Sequence, residues 1–292
     1  MKKQLRVNQV SLYREIAKNL VNPLEVIREA ISNSHDANAR EVTIDISRNS
    51  DNDILVEMAD DGSGMDEGGF ERFFNLGDSQ KLQNLIGQKG LGTKTYFRSK
   101  KITVESQSNQ KRLKAVMVHP WLTLNSNQLP EYDLDEIQYE PGKNGTIIRV
   151  EGYDIDNPER YYNFETLRHY ILWFTAAGSF KTKFAEVIQI HRYVQNMHIA
   201  PKIWLIDQIS NRREEFAGGH KFSAPNENPE IDQNNERNPR SDSYCKHFGP
   251  FHKDTTINGK FVSFQLYGTM SFPVLSHVFF RDYSGEPDIR CC

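Results

Sequence analysis

At 292 residues with a formal net charge of -3, the chain is long enough for one large domain or two ordinary ones, and too evenly charged to bind nucleic acid by bulk electrostatics. Three cysteines, Cys245 and the adjacent pair Cys291 and Cys292, build neither a disulfide framework nor a spaced zinc motif, so a reducing, cytoplasmic setting is expected. The longest apolar run, around Tyr170-Ile171-Leu172-Trp173-Phe174, is too short to span a bilayer, and Met1-Lys2-Lys3-Gln4-Leu5 leads into polar sequence rather than a signal-peptide core.

Residues 13–20 read as a short first helix and residues 23–39 as a second. In the second, Leu20, Leu24, Ile27 and Ile31 form a stripe at helical spacing, and Pro23 suits a first turn, where its missing N–H breaks no helical bond. Glu29, Asn33 and Asp36 fall at i, i+4 and i+7, which gathers a carboxylate, an amide and a second carboxylate on one face. A carboxylate can take a proton from water, and an amide oxygen can ligate magnesium that already carries phosphate oxygens and waters. A solvated polar face explains the same spacing, so the pattern needs company.

The hydrophobic period then changes from 3.6 to 2. Val42, Ile44 and Ile46, then Ile54, Val56 and Met58, alternate with polar residues on either side of a turn-rich 48–53 segment, which predicts two antiparallel strands. The second strand leads into Asp60-Asp61-Gly62-Ser63-Gly64-Met65. This is either a plain turn or a base-binding loop, in which Asp60 accepts from an adenine amino group and the glycines let the backbone approach. Phe70, Phe73 and Phe74 read as helical core packing. Asn75-Leu76-Gly77-Asp78-Ser79-Gln80-Lys81 breaks that helix, and Gly87-Gln88-Lys89-Gly90-Leu91-Gly92-Thr93-Lys94 places close glycines before a helix-forming run, as in loops that cradle phosphates. It matches neither the dinucleotide nor the P-loop fingerprint.

Taken in order, Glu29-x-x-x-Asn33-x-x-Asp36-Ala37, Asp60-x-Gly62-x-Gly64-Met65 and Gly87-x-Lys89-Gly90-x-Gly92 resemble the GHKL superfamily of ATPases. That superfamily comprises the gyrase B subunit, the ninety-kilodalton heat-shock chaperone, sensor histidine kinases and MutL, with their microrchidia relatives. The residues 28–37 and 87–92 look most like the chaperone, and 37–46 and 75–81 like MutL and microrchidia. Gly145-Thr146-Ile147-Ile148-Arg149-Val150 resembles the strand whose hydroxyl helps hold the adenine.

The resemblance implies an α/β two-layer sandwich with a mixed, mostly antiparallel sheet, helices on one face and ATP between helix and lid. It implies that Glu29 is the general base, Asn33 the magnesium ligand and Asp36 a polar contact, that Asp60 reads adenine with Gly62 and Gly64 beside it, and that Met65 packs on the base with Thr146 behind. Asn75, Lys81, Gly87, Lys89, Gly90, Gly92 and Thr93 would complete the nucleotide contacts. His35 is read as a structural or surface histidine.

Beyond Glu151 the resemblance thins. Residues 163–178 read as a helix capped by Asn163, and Val187, Ile188 and Ile190, then Ile203, Leu205 and Ile206, as strands. Residues 223–243, rich in Asn, Pro, Glu and Asp, read as an exposed insertion, and 248–251 and 261–268 resume a sheet. The expected division is an ATP-binding domain over 1–180 and a smaller transducer-like domain over 181–292, in which Lys221, Lys253 or Lys260 would reach the terminal phosphate. The end at Cys291-Cys292, with no closing element, reads as that of an N-terminal part of something longer.

The expected function is magnesium-dependent binding and slow hydrolysis of ATP, driving lid closure and homodimerisation that act on a DNA or protein client, with no membrane. A non-hydrolysing ATP-sensing module and a sensor-kinase core are the rivals. The second lacks a phosphoacceptor histidine ahead of the first motif.

Overall fold

The computed structural model describes residues 8–19, 22–76, 92–175, 201–216, 245–257 and 259–271. Helix α1 (Gln9–Asn19) begins earlier than the apolar pattern suggests, because Asn8 caps it: its side-chain oxygen accepts from the Ser11 amide at 3.1 Å. Helix α2 (Glu25–Asp36) follows a turn at Pro23, and its stripe is core: Leu24, Val26, Ile27 and Ile31 have no exposed surface. Each such aliphatic side chain contributes about 1.5–3 kcal/mol over leaving it in water.

Strands β1 (Glu41–Arg48) and β2 (Ile54–Asp60) pair antiparallel as the alternation predicts, with Ile44 opposite Met58. Helix α3 (Glu67–Phe74) starts at Asp66, which accepts from the Gly69 amide at 2.8 Å, and buries Phe70, Phe73 and Phe74. After it come a 3-10 turn (Gly92–Phe97), β3 (Ser99–Ser108), β4 (Lys111–Val118), α4 (Pro120–Asn125), β5 (Asp133–Ile137) and β6 (Gly145–Tyr153). They are followed by α5 (Pro158–Tyr161), α6 (Phe164–Phe174), β7 (Lys202–Asp207) and β8 (Arg212–Phe216). Asn163 caps α6 as expected, its side chain accepting from the Thr166 amide at 3.0 Å.

Eight strands form one sheet in the order β5-β4-β3-β6-β2-β1-β7-β8, antiparallel except where β7 runs parallel to β1. Val42, Ile44, Val56, Met58, Ile102, Val104, Ile148, Val150, Ile203 and Leu205 supply its buried face. The opposite face is polar and half-buried, with Arg149 bridging Glu57 (2.5 Å) and Glu105 (2.9 Å). Burial alone would raise the Glu105 carboxyl, but Arg149, Lys114 and Arg112 beside it hold it below its ordinary value. This is a two-layer α/β sandwich with a mixed, mostly antiparallel sheet.

The chain divides into two compact units. Strands β7 and β8, in the stretch expected in the second domain, extend the first sheet, because the backbone of Glu41 to Ile46 offers β7 a free pairing edge and Ile203 and Leu205 complete the core. The second unit contains a long ribbon of β9 (Cys245–Ile257) and β10 (Lys260–Ser271), matching the strands expected at 248–251 and 261–268. The expected strand at 187–190, the 223–243 insertion and Lys221 lie outside the described residues. Among the described residues no helix is long and apolar enough to cross a membrane.

Candidate functional site

Glu29, Asn33 and Asp36 sit on α2 and are all half-buried, so they do not form the open, solvated face that their spacing alone would also permit. The Glu29 carboxylate accepts from Arg28 at 2.9 Å, and the Arg28 Nε donates to Glu25 at 2.6 Å. Burial works to lower the Arg28 pKa, but the Glu25 hydrogen bond and the Glu25 and Glu29 charges outweigh it, so the guanidinium stays firmly protonated. Gly92, the last residue of the expected phosphate loop, rests on the other side of Glu29. A β-carbon there would overlap the carboxylate, so any larger residue would require the Glu29 side chain to move. His35 is half-buried rather than a surface residue, its Nδ1 3.9 Å from Asp36.

The second cluster forms where β2 ends. Asp60 Oδ1 accepts from the Gly62 amide at 2.8 Å, and Oδ2 lies 3.0 Å from the Ser34 hydroxyl, which is also 2.8 Å from Ala30 O. One hydroxyl proton can serve only one of these acceptors at a time. Burial pushes the Asp60 carboxyl above its ordinary value, and hydrogen bonds from Gly62, Ser34 and the Thr146 backbone oppose that rise. Asp61 ties this loop to the start of β1, and Ser63 ties it to the end of α2. The Asp61 carboxylate accepts from the Arg40 and Glu41 amides at 2.7 and 2.8 Å, and the Ser63 amide donates to Ala37 O at 3.0 Å. Gly62 is then so close to Ala37 that an added β-carbon would lie 2.8 Å from the alanine's own.

Thr146 faces Asp60 across β2 and β6 and Ser106 across β3 and β6. Its hydroxyl is 2.9 Å from Ser106 Oγ, which also accepts from the Met65 amide at 2.7 Å. Gly64 has φ +71°, and a β-carbon on it would collide with the Gln107 carbonyl. Met65 and Gly64 are thereby fixed against the ends of β3 and β6. Ser34 and Ser106 carry this cluster and have no signal in the motif pattern, since a lone serine becomes informative only when a strand register places it beside the site.

The two clusters share a floor. Tyr96, fully buried, reaches Val26 O at 3.4 Å, and burial together with the Glu29 and Asp60 charges pushes its phenol well above its ordinary value. The expected helix after the glycine loop is a six-residue 3-10 turn, because β-branched Thr93 and Thr95 and aromatic Tyr96 and Phe97 leave little room before β3 begins. Thr93 points its hydroxyl at Phe73 O, 2.6 Å away, which leaves its amide as the group that can face a phosphate. Asn75 is exposed, ends α3, and lines a separate cavity of about 480 Å³ with Tyr13, Phe97 and Tyr132. Lys81, Gly87, Lys89 and Gly90 lie outside the described residues.

Among the described residues no three His, Cys, Asp or Glu side chains converge as a metal site. A magnesium ion carried mainly by phosphate oxygens and water would need one or two protein oxygens, and the half-buried Asn33 side chain carries an amide oxygen.

A carboxylate-bearing helix thus lies on a mostly antiparallel sheet, with the half-buried Asp60 at the end of a strand. Residues 21–146 match the family described as histidine kinase-, DNA gyrase B-, and HSP90-like ATPase, and that region belongs to the GHKL superfamily of ATPases. No curated protein matches the chain significantly.

Proposed function

We propose that the chain binds ATP with magnesium and hydrolyses it slowly. The placement of Glu29 between Arg28 and the Gly92 backbone carries this reading. A general base must be held where the attacking water meets the terminal phosphate, and the contacts with Arg28 and with the Gly92 backbone hold the Glu29 carboxylate in one place. Asp60, with Gly62, Met65 and Thr146 around it, takes the adenine, Asn33 holds magnesium, Asp36 makes a polar contact, and the amides of Gly92 and Thr93 meet phosphates. Lys81, Gly87, Lys89 and Gly90 join them from the lid.

As in the resemblance to the chaperone and microrchidia-like branch, ATP closes the lid and pairs two copies of the chain, and hydrolysis releases them to act on a DNA or protein client in the cytoplasm. The second unit serves as the transducer. A non-hydrolysing ATP sensor is the second reading, favoured by the engagement of Glu29 with Arg28 at 2.9 Å.

The deciding experiment is a melt with and without magnesium and ATP, joined to phosphate release and sizing. Ligand at about a hundred times its Kd adds about 2.7 kcal/mol. Stabilisation with turnover above a buffer blank supports the ATPase, and stabilisation with no turnover, with or without DNA or protein, supports the sensor. No stabilisation by ATP removes both.

A further inference from the structure

Lysine is almost never fully buried unless its amine is engaged, yet Lys94 has no exposed surface. Its Nζ donates to Phe73 O at 2.8 Å and to Thr93 Oγ1 at 3.0 Å, while Thr93 Oγ1 donates to the same Phe73 O at 2.6 Å. The three atoms close a triangle. Phe73 stands in the last turn of α3, where backbone carbonyls lack helical partners. Two donors from the 3-10 turn therefore attach that turn to the end of α3.

The same turn is held from its other side. The Tyr96 ring stacks on Phe73 with centroids 5.7 Å apart and planes 13° from parallel, and its hydroxyl reaches Val26 O on α2 at 3.4 Å. Lys94 is thus the polar half of a clamp whose apolar half is Tyr96. What the clamp holds in place is the turn that begins at Gly92, whose backbone lies against Glu29. A methionine would fill the same space without the desolvation cost of a buried amine and without ordering a longer side chain. It could not reach Phe73 O.

We propose that Lys94 is a positioning residue for the phosphate side of the site, fixing the Gly92–Phe97 turn so that the Gly92 and Thr93 amides and the Glu29 carboxylate keep one spacing. The proposal rests on the ATP-binding reading above. Because the turn faces phosphates and the Asp60 cluster faces the base, loosening the turn weakens ATP and leaves adenosine alone.

The test compares wild type, Lys94→Met and Lys94→Arg by calorimetric affinity for adenosine and for ATP with magnesium, by steady-state kcat and KM, and by melting. The expected result is adenosine affinity within about twofold of wild type, ATP affinity lower by about tenfold or more, and a lower kcat in Lys94→Met, with part of each recovered in Lys94→Arg. Equal losses for adenosine and ATP would make Lys94 a structural cap on α3 and overturn the proposal, as would no change in either. Wild type that binds ATP well beside an unchanged variant overturns the proposal alone, whereas wild type that binds no ATP overturns the reading of the site and the proposal together. Should Lys94→Met fail to fold, Thr93→Val removes the hydroxyl corner of the triangle at nearly constant volume, and the same two affinities decide.

Discussion

Gly92 lies against the carboxylate of Glu29, so closely that a β-carbon on the glycine would overlap Oε2 and Cδ of the acid. The contact joins the end of the glycine loop to the middle of α2. Gly92→Ala should therefore push Glu29 off its position rather than merely stiffen the loop. Displacement of a catalytic group by about an ångström costs about a hundredfold in rate. Turnover should fall by that order while adenosine affinity is kept, as kinetics and calorimetry on one preparation would reveal. An alanine variant with unimpaired turnover would show that the contact is unrelated to catalysis.

Glu29→Ala separates chemistry from binding. It removes the proton acceptor and leaves Asp60 and Asn33 in place, so ATP affinity should persist while turnover drops about a hundredfold or more. Asn33→Ala should weaken magnesium-dependent ATP binding itself. Sizing with ATP should then find the Glu29 variant accumulating as a dimer and the Asn33 variant not. The same behaviour in both variants would contradict the separate roles.

Asp60 gives a pH-dependent test. Its carboxyl is raised by burial, so its contribution to stability is full below the unfolded value of about 3.9 and is lost as pH rises through the higher folded value. Asp60→Asn keeps an oxygen for the Gly62 amide and carries no charge. Without nucleotide it should match or exceed wild-type stability at neutral pH, and the difference should vanish below about pH 4. Added ATP should no longer raise its melting temperature. Melts across pH with and without ATP test both statements, and an ATP shift as large as that of wild type would remove Asp60 from adenine recognition.

Ser106 links Met65, Gly145 and Thr146 through one hydroxyl, at 2.7, 3.1 and 2.9 Å. Ser106→Ala leaves the Met65 amide without its acceptor. The expected cost is about 1–3 kcal/mol in denaturant unfolding, together with a smaller ATP-induced stabilisation. If baseline stability falls but the ATP increment stays intact, the serine supports the sheet and not the nucleotide.

The elements with a strong period were legible from residues alone. Ile27 and Ile31 on α2, and Ile44, Ile46, Val56 and Met58 on β1 and β2, alternate as their burial does, because one apolar face must leave water in either geometry. Less of the region after Glu151 could be read. Lys202 to Asp207 reads as a strand, but whether it belongs to the first sheet or a later one depends on a parallel pairing with β1. No local pattern encodes a partner so far away in sequence.

By itself the sequence determined the ordered motifs: Glu29, Asn33 and Asp36 at helical spacing, Asp60 with its glycines, the glycine loop ending at Gly92, and Thr146 on a strand. Each follows from local backbone periodicity and from the freedom that glycine alone allows. Only the tertiary structure decided what those residues touch. The register of β2, β6 and β3 sets Asp60 beside Thr146 and Thr146 beside Ser106, and packing of the 3-10 turn under α2 and α3 buries Lys94 and brings Gly92 to Glu29. These are contacts between segments far apart in the chain, and their energy comes from burying a shared core, which no single segment can do alone.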